Sequence, residues 1–94
     1  MNSARVRSSG NVFIDLGYSE EEAAILQMRA GLMAKLRAFV KSKKLTQVRA
    51  AEILGVSQSR VSDLIRGKWE KFSLEMLIML ATRAGMHVSI KTAA

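Results

Sequence analysis

The stretch LTQVRAAEILGVSQSRVSDLIRGK, residues 45–68, sets two short apolar-periodic segments on either side of one glycine. Two helices that cross at a wide angle through a three- or four-residue turn have narrow steric needs. A small residue must stand where their backbones approach, a glycine where the turn takes positive φ, and an aliphatic residue where the second helix faces the first. Counting from Gln47, Ala51 is fifth, Gly55 ninth and Val61 fifteenth. Ala51 meets the first need, Gly55 the second, and Val61 with Leu64 and Ile65 the third. A generic helical hairpin meets all three only by chance.

The helix boundaries follow from the same stretch. Thr46 is the N-cap of a segment running to Leu54, Gly55 is its left-handed stop, and Val56 can fold back on the helix just left. Ser57 caps the next helix, which ends near Arg66 with Gly67 as its stop. At about 100° per residue, Val61, Leu64 and Ile65 share one side of this helix. Ser59, Ser62, Asp63 and Arg66 fall opposite, and Gln58 projects from the first turn. A DNA major groove accepts such a helix with its N-terminal residues against base edges.

Gln58, Ser59, Ser62 and Asp63 are therefore the candidate base readers. Gln58 has the donor and acceptor that adenine requires, the serines can bond several bases, and Asp63 can accept from cytosine N4. Near phosphates Asp63 is a liability, and it can instead orient Arg60 or Arg66. Thr46 and Gln47 stand at a helix N-terminus, where a phosphate is favoured. Arg60, Arg66, Lys68 and the lysines of KSKK at 41–44, Lys43 and Lys44 among them, are candidate phosphate contacts. Plainer roles compete: Ser57 as a cap only, Arg66 as a countercharge to a helix C-terminus, and the lysines as a solvated helix end. Trp69 suits the edge of a core better than a nucleotide sugar, and His87 suits a strand residue without chemistry.

A net charge of +7 on 94 residues suggests an anionic partner, without saying whether DNA, RNA or an acidic protein. The absence of cysteine excludes disulfides and cysteine-ligated zinc, and a single histidine builds no metal site. No cofactor is implied. The longest apolar run, MLIML at 76–80, is far short of a membrane span, and MNSARVRSSGN has no apolar region behind its arginines, so a cytoplasmic protein is expected.

Outside the motif, Ser19 and Glu22 form a capping box that opens a long helix. Ile25, Met28, Leu32, Leu36 and Phe39 recur along it at three- and four-residue spacing, and Gly31 leaves room for a close contact. The glutamates 20–22 suit the positive end of the helix dipole. After KWEKF, which reads as exposed, Ser73 caps a further helix ending at Gly85. Leu74, Leu77, Ile78 and Ala81 give it one apolar face, and Met76, Met79 and Leu80 a second; a helix apolar on two sides points to a dimer partner. NVFIDLG at 11–17 and MHVSIKTA at 86–93 alternate as short strands do, free to pair with each other, across a dimer or with a partner. Arg5 and Arg7 lie in a polar arm, residues 1–10, expected to be flexible.

The 45–68 stretch resembles the phage-repressor-like helix-turn-helix family, the XRE or Cro/C1 type, in its threonine–glutamine opening, alanine, turn glycine and final RG. Ser59 stands where relatives often carry proline. The flanks NVFIDLGYSEEEAAILQMRAGL and KFSLEMLIMLATRAGMHVSI resemble the HigA-like antitoxin subgroup. The resemblance implies a lambda-repressor-like fold: mainly α, four or five helices over residues 11–94 with the motif at 46–67, and short terminal strands. It also implies double-stranded DNA as partner, a homodimer, and a RelE-like toxin. An enzyme is not expected, for want of a nucleophile–base set or phosphate loop. An RNA module would present more aromatics than five, and a protein-interaction module would not explain the polar helix face. The expected function is a DNA-binding transcriptional regulator serving as antitoxin and autorepressor, or alternatively one that works without a toxin.

Overall fold

The computed structural model describes residues 10–93, which carry five α-helices, one 3₁₀ turn and no strand. The helices are α1 (Val12–Asp15), α2 (Glu20–Ser42), α3 (Gln47–Leu54), α4 (Gln58–Ile65) and α5 (Leu74–Arg83), with the 3₁₀ turn at Trp69–Lys71. The arm with Arg5 and Arg7 lies outside the described residues.

The N-termini of α2, α3, α4 and α5 have the caps their sequence promised. Ser19 and Glu22 form the reciprocal capping box of α2. The hydroxyls of Thr46, Ser57 and Ser73 accept from the amides of Arg49, Arg60 and Met76, each at 3.1 Å. Each such cap is worth about 1 kcal/mol, so these four caps account for where the chain enters α2 to α5.

Both expected terminal strands are corrected. Residues 12–15 form α1 because Asn11 caps them: its side-chain oxygen accepts from the Phe13 amide at 2.9 Å. Its amide nitrogen also donates to the Ala23 carbonyl at 3.2 Å, fastening α1 to α2. Four alternating residues are too few to separate a strand from one helical turn once a cap is present. Residues 86–93 form no strand either. With residues 12–15 helical, no edge remains among the described residues for them to pair with. Met86 and Val88 instead pack on the core.

The α2 stripe is corrected in its N-terminal half, whereas Leu36 is buried and Leu32 and Phe39 pack on the core as expected. The buried residues are Ala23, Leu26, Met33, Leu36 and Val40, while Ile25 and Met28 are 49% and 44% exposed. The true stripe runs Leu26, Arg29, Met33, Leu36, Val40, and a charged residue in the middle conceals it. Arg29 donates from Nε to the Phe72 carbonyl at 2.9 Å and from Nη2 to the Trp69 carbonyl at 2.8 Å. It therefore belongs to the packed side of the helix. A Cβ added at Gly31 would meet nothing within 4 Å, so the expected close contact there is not made.

The core is aliphatic around one ring. Phe72, Leu36, Leu54, Leu64, Leu77, Leu80 and Val61 are its largest fully buried side chains. Phe72 ends the KWEKF stretch that read as exposed, and it is wholly inaccessible to solvent. Trp69 covers the core edge, edge-on to Phe13 and 5.2 Å from the Arg29 guanidinium. On α5, Leu77, Leu80 and Ala81 are buried and Met76 packs beside them, so much of its second apolar face meets this chain's own core. Met79 remains 49% exposed, and Leu74 and Ile78 line an open groove against α2.

Candidate nucleic-acid interface

The two motif helices are held from both sides. Ala50 of α3, Val40 of α2 and Val61 of α4 form one buried cluster, with Ala51, Leu45, Val56 and Ile65 packed on it. Gly55 has φ 69°, the left-handed value its place in the turn requires. Arg83 of α5 reaches across and donates from Nη1 to the Leu54 carbonyl at 3.0 Å, satisfying the end of α3. A Cβ at Gly55 would lie 3.3 Å from that same nitrogen. The turn is thus set by backbone geometry and by a neighbouring helix together.

With Val61 and Leu64 buried, α4 turns its other side outward. Gln58, Ser59 and Arg66 are exposed, and Ser62 and Asp63 half-buried. Ser57 and Ser59 share a hydrogen bond, their hydroxyl oxygens 3.2 Å apart. Ser57 is the cap of α4, its plainer role. Asp63 orients neither Arg60 nor Arg66; its Oδ2 faces Lys71 Nζ at 3.9 Å. That contact offsets part of the carboxylate's repulsion toward a polyanion.

Thr46 and Gln47 stand exposed at the start of α3. The Thr46 hydroxyl is committed to its cap, and the Gln47 side chain has no partner among the described residues. Arg60 is partly committed: Nη1 donates to the Lys71 carbonyl at 3.1 Å, and its guanidinium lies 5.5 Å from the Phe72 ring. It fixes the 3₁₀ turn to α4. Lys43 lies 5.9 Å from the Phe39 ring.

The cations divide sharply by what holds them. Arg29 and Arg83 serve backbone carbonyls. Arg49 pairs with Glu52 at 3.0 Å, an exposed contact of little energetic weight. Lys44, Arg66 and Lys68 carry no side-chain hydrogen bond or ion pair among the described residues, which leaves them free for an anion. Arg37 joins them, and sequence reasoning passed it over. Its signal was present as spacing: Arg37 and Lys41 stand at i and i+4 on α2, and Lys44 follows just past its end.

The helix-turn-helix domain family matches this chain over residues 12–93. No curated protein matches it. The chain belongs to this helix-turn-helix family, a class that points to DNA as a partner. No helix among the described residues is long and apolar enough to cross a membrane.

Proposed function

We propose that this protein is a sequence-specific DNA-binding transcriptional regulator of the XRE type. In this reading α4 enters the major groove. Gln58, Ser59, Ser62 and Asp63 read base edges, while Thr46, Gln47, Arg60, Arg66, Lys68, Lys43 and Lys44 contact phosphates. The observation that carries it is the outward face of α4: polar, capped by Ser57, and held rigid by Val61 and Leu64 beneath. Rigid placement matters because base discrimination depends on bidentate geometry. Selection of duplexes from a random library tests it. Recovery of one preferred sequence supports the reading, and recovery of an unenriched pool would remove it.

The finer proposal is a homodimer that acts as antitoxin and autorepressor beside a RelE-like toxin. Its support is an apolar surface that DNA binding does not use. Ile25, Met28, Met79 and Ile90 are exposed, and Met28, Leu32, Leu74, Ile78 and Val88 line the groove between α2 and α5. Co-expression with the adjacent gene tests the toxin role. A stable complex, with toxicity lost only when this chain is present, is the expected result. Absence of a co-purifying neighbour, with normal growth after deletion of this gene alone, would leave a solitary regulator.

A further inference from the structure

All five helices end with the same hydrogen bond, an amide reaching back five residues. The pairs are Tyr18 to Phe13, Leu45 to Val40, Val56 to Ala51, Lys68 to Asp63, and Met86 to Ala81. Such an ending needs a left-handed residue just before the reaching amide, and glycine is its ordinary occupant. Glycine fills four of the five places. The exception is the end of α2, where Lys44 takes φ 53°.

Lys44 is an expensive choice on steric grounds, and its surroundings suggest what it supplies. It borders an open depression of about 430 Å³ with Arg37 and Lys41 on the rim and Val40, Leu45 and Ile65 on the floor. No carboxylate lines this depression. None of the three cations has a side-chain hydrogen bond or ion pair among the described residues. Arg37 lies against the turn after α4, since a Cβ at Gly67 would be 3.4 Å from its Nη1. Three cations around one depression repel one another, and a bound anion would relieve that repulsion.

The position of the depression decides which anion. Ile65 continues the Gln58–Ser62 stripe of α4 at i+7, so the cationic rim borders the reading edge. Leu45 leads directly into the exposed N-terminus of α3. A helix lying in a major groove has a phosphate backbone along each flank. One flank of α4 carries Arg60 and Lys71, both engaged within the protein. The other flank carries the three free cations.

We infer that Arg37, Lys41 and Lys44 form a seat for the phosphate backbone of one DNA strand, continuous with the α3 N-terminus, and that Lys44 keeps its left-handed backbone for the sake of this charge. The inference rests on the reading that α4 enters the major groove. It adds Arg37 to the interface and assigns the α2 end to a single strand.

Salt titration of binding to a random-sequence duplex and to the selected duplex tests it. The double variant Arg37→Gln, Lys41→Gln should lower the slope of log affinity against log salt by about two, with the selected sequence unchanged. Lys44→Gly should lower the slope by about one while the melting temperature without DNA holds or rises. Lys91→Gln, which removes a cation beside the α2–α5 groove, should leave the slope as it was. A wild-type protein that binds DNA with a slope indifferent to Arg37 and Lys41 would overturn this seat alone. An equal loss in Lys91→Gln would also overturn it, by showing a mere effect of net charge. A wild-type protein without salt-dependent binding would overturn the DNA reading itself.

Discussion

Gln58 and Gln47 are the same residue type with different expected tasks, and the difference lies in where each helix begins. Gln58 opens α4, whose outer face is free, whereas Gln47 opens α3 beside the basic end of α2. Gln58→Ala should cost about 1–3 kcal/mol on the preferred site and relax preference at one base pair. Gln47→Ala should weaken all sequences alike. If Gln58→Ala leaves base preference untouched in binding to a panel of single-substituted sites, α4 is docked differently. Arg60→Ala should do two things at once. It removes a proposed phosphate contact, and it frees the Lys71 carbonyl and uncovers Phe72. Lower affinity for all duplexes should therefore come with a lower melting temperature in their absence.

Among the elements, the α3–α4 turn is the least tolerant of substitution. Gly55→Val places a β-branched residue at positive φ, a cost of about 1–2 kcal/mol, and presses its Cβ on Arg83. The expected result is a lower melting temperature whether or not DNA is present; an unchanged melt would contradict the role given to that turn. Arg29→Met should loosen a different junction by leaving the Phe72 and Trp69 carbonyls without their donor, costing about 2 kcal/mol. These two arginines show why the elements were unequally legible. Caps and stops act within a few residues, so Ser57, Ser73, Gly55 and Gly67 announced α3, α4 and α5 in the sequence. Arg29 and Arg83 act across 40 and 29 residues of chain, to Trp69 and Leu54. A charge in an apolar stripe looks like a boundary, which draws the N-terminal half of the stripe to Ile25 and Met28 although its C-terminal part, Leu32, Leu36 and Phe39, packs inward as read. The ends misled for a related reason: alternation in residues 11–17 is a weak local pattern, and the Asn11 cap overrides it.

For the molecule as a whole, charge and apolar surface divide the work. Arg37, Lys41, Lys44, Arg66 and Lys68 gather around α4 and the end of α2, whereas the exposed Ile25, Met28, Met79 and Ile90 lie on the N-terminal half of α2, on α5 and on the tail. In the proposed reading, the first group meets DNA and the second a protein partner. A two-fold dimer should place its recognition helices about 34–36 Å apart, one turn of DNA. Substituting Ile25 and Ile90 by serine, both exposed here, should shift sedimentation toward monomer and weaken binding to a two-half-site duplex more than to one half-site. Equal loss on both duplexes would place those residues outside the dimer contact.

The central claim is that the outer face of α4 reads DNA sequence. Repeated selection from a random duplex library with purified protein, followed by sequencing of the bound pool, measures it most directly. The bound pool should be enriched in a two-fold-related site with half-site centres about one helical turn apart. In a parallel selection, Gln58→Ala should lose enrichment at one position in each half. An enriched pool that Gln58, Ser59, Ser62 and Asp63 variants all reproduce without change would contradict the claim, because the sequence would then be read by some other part of the protein.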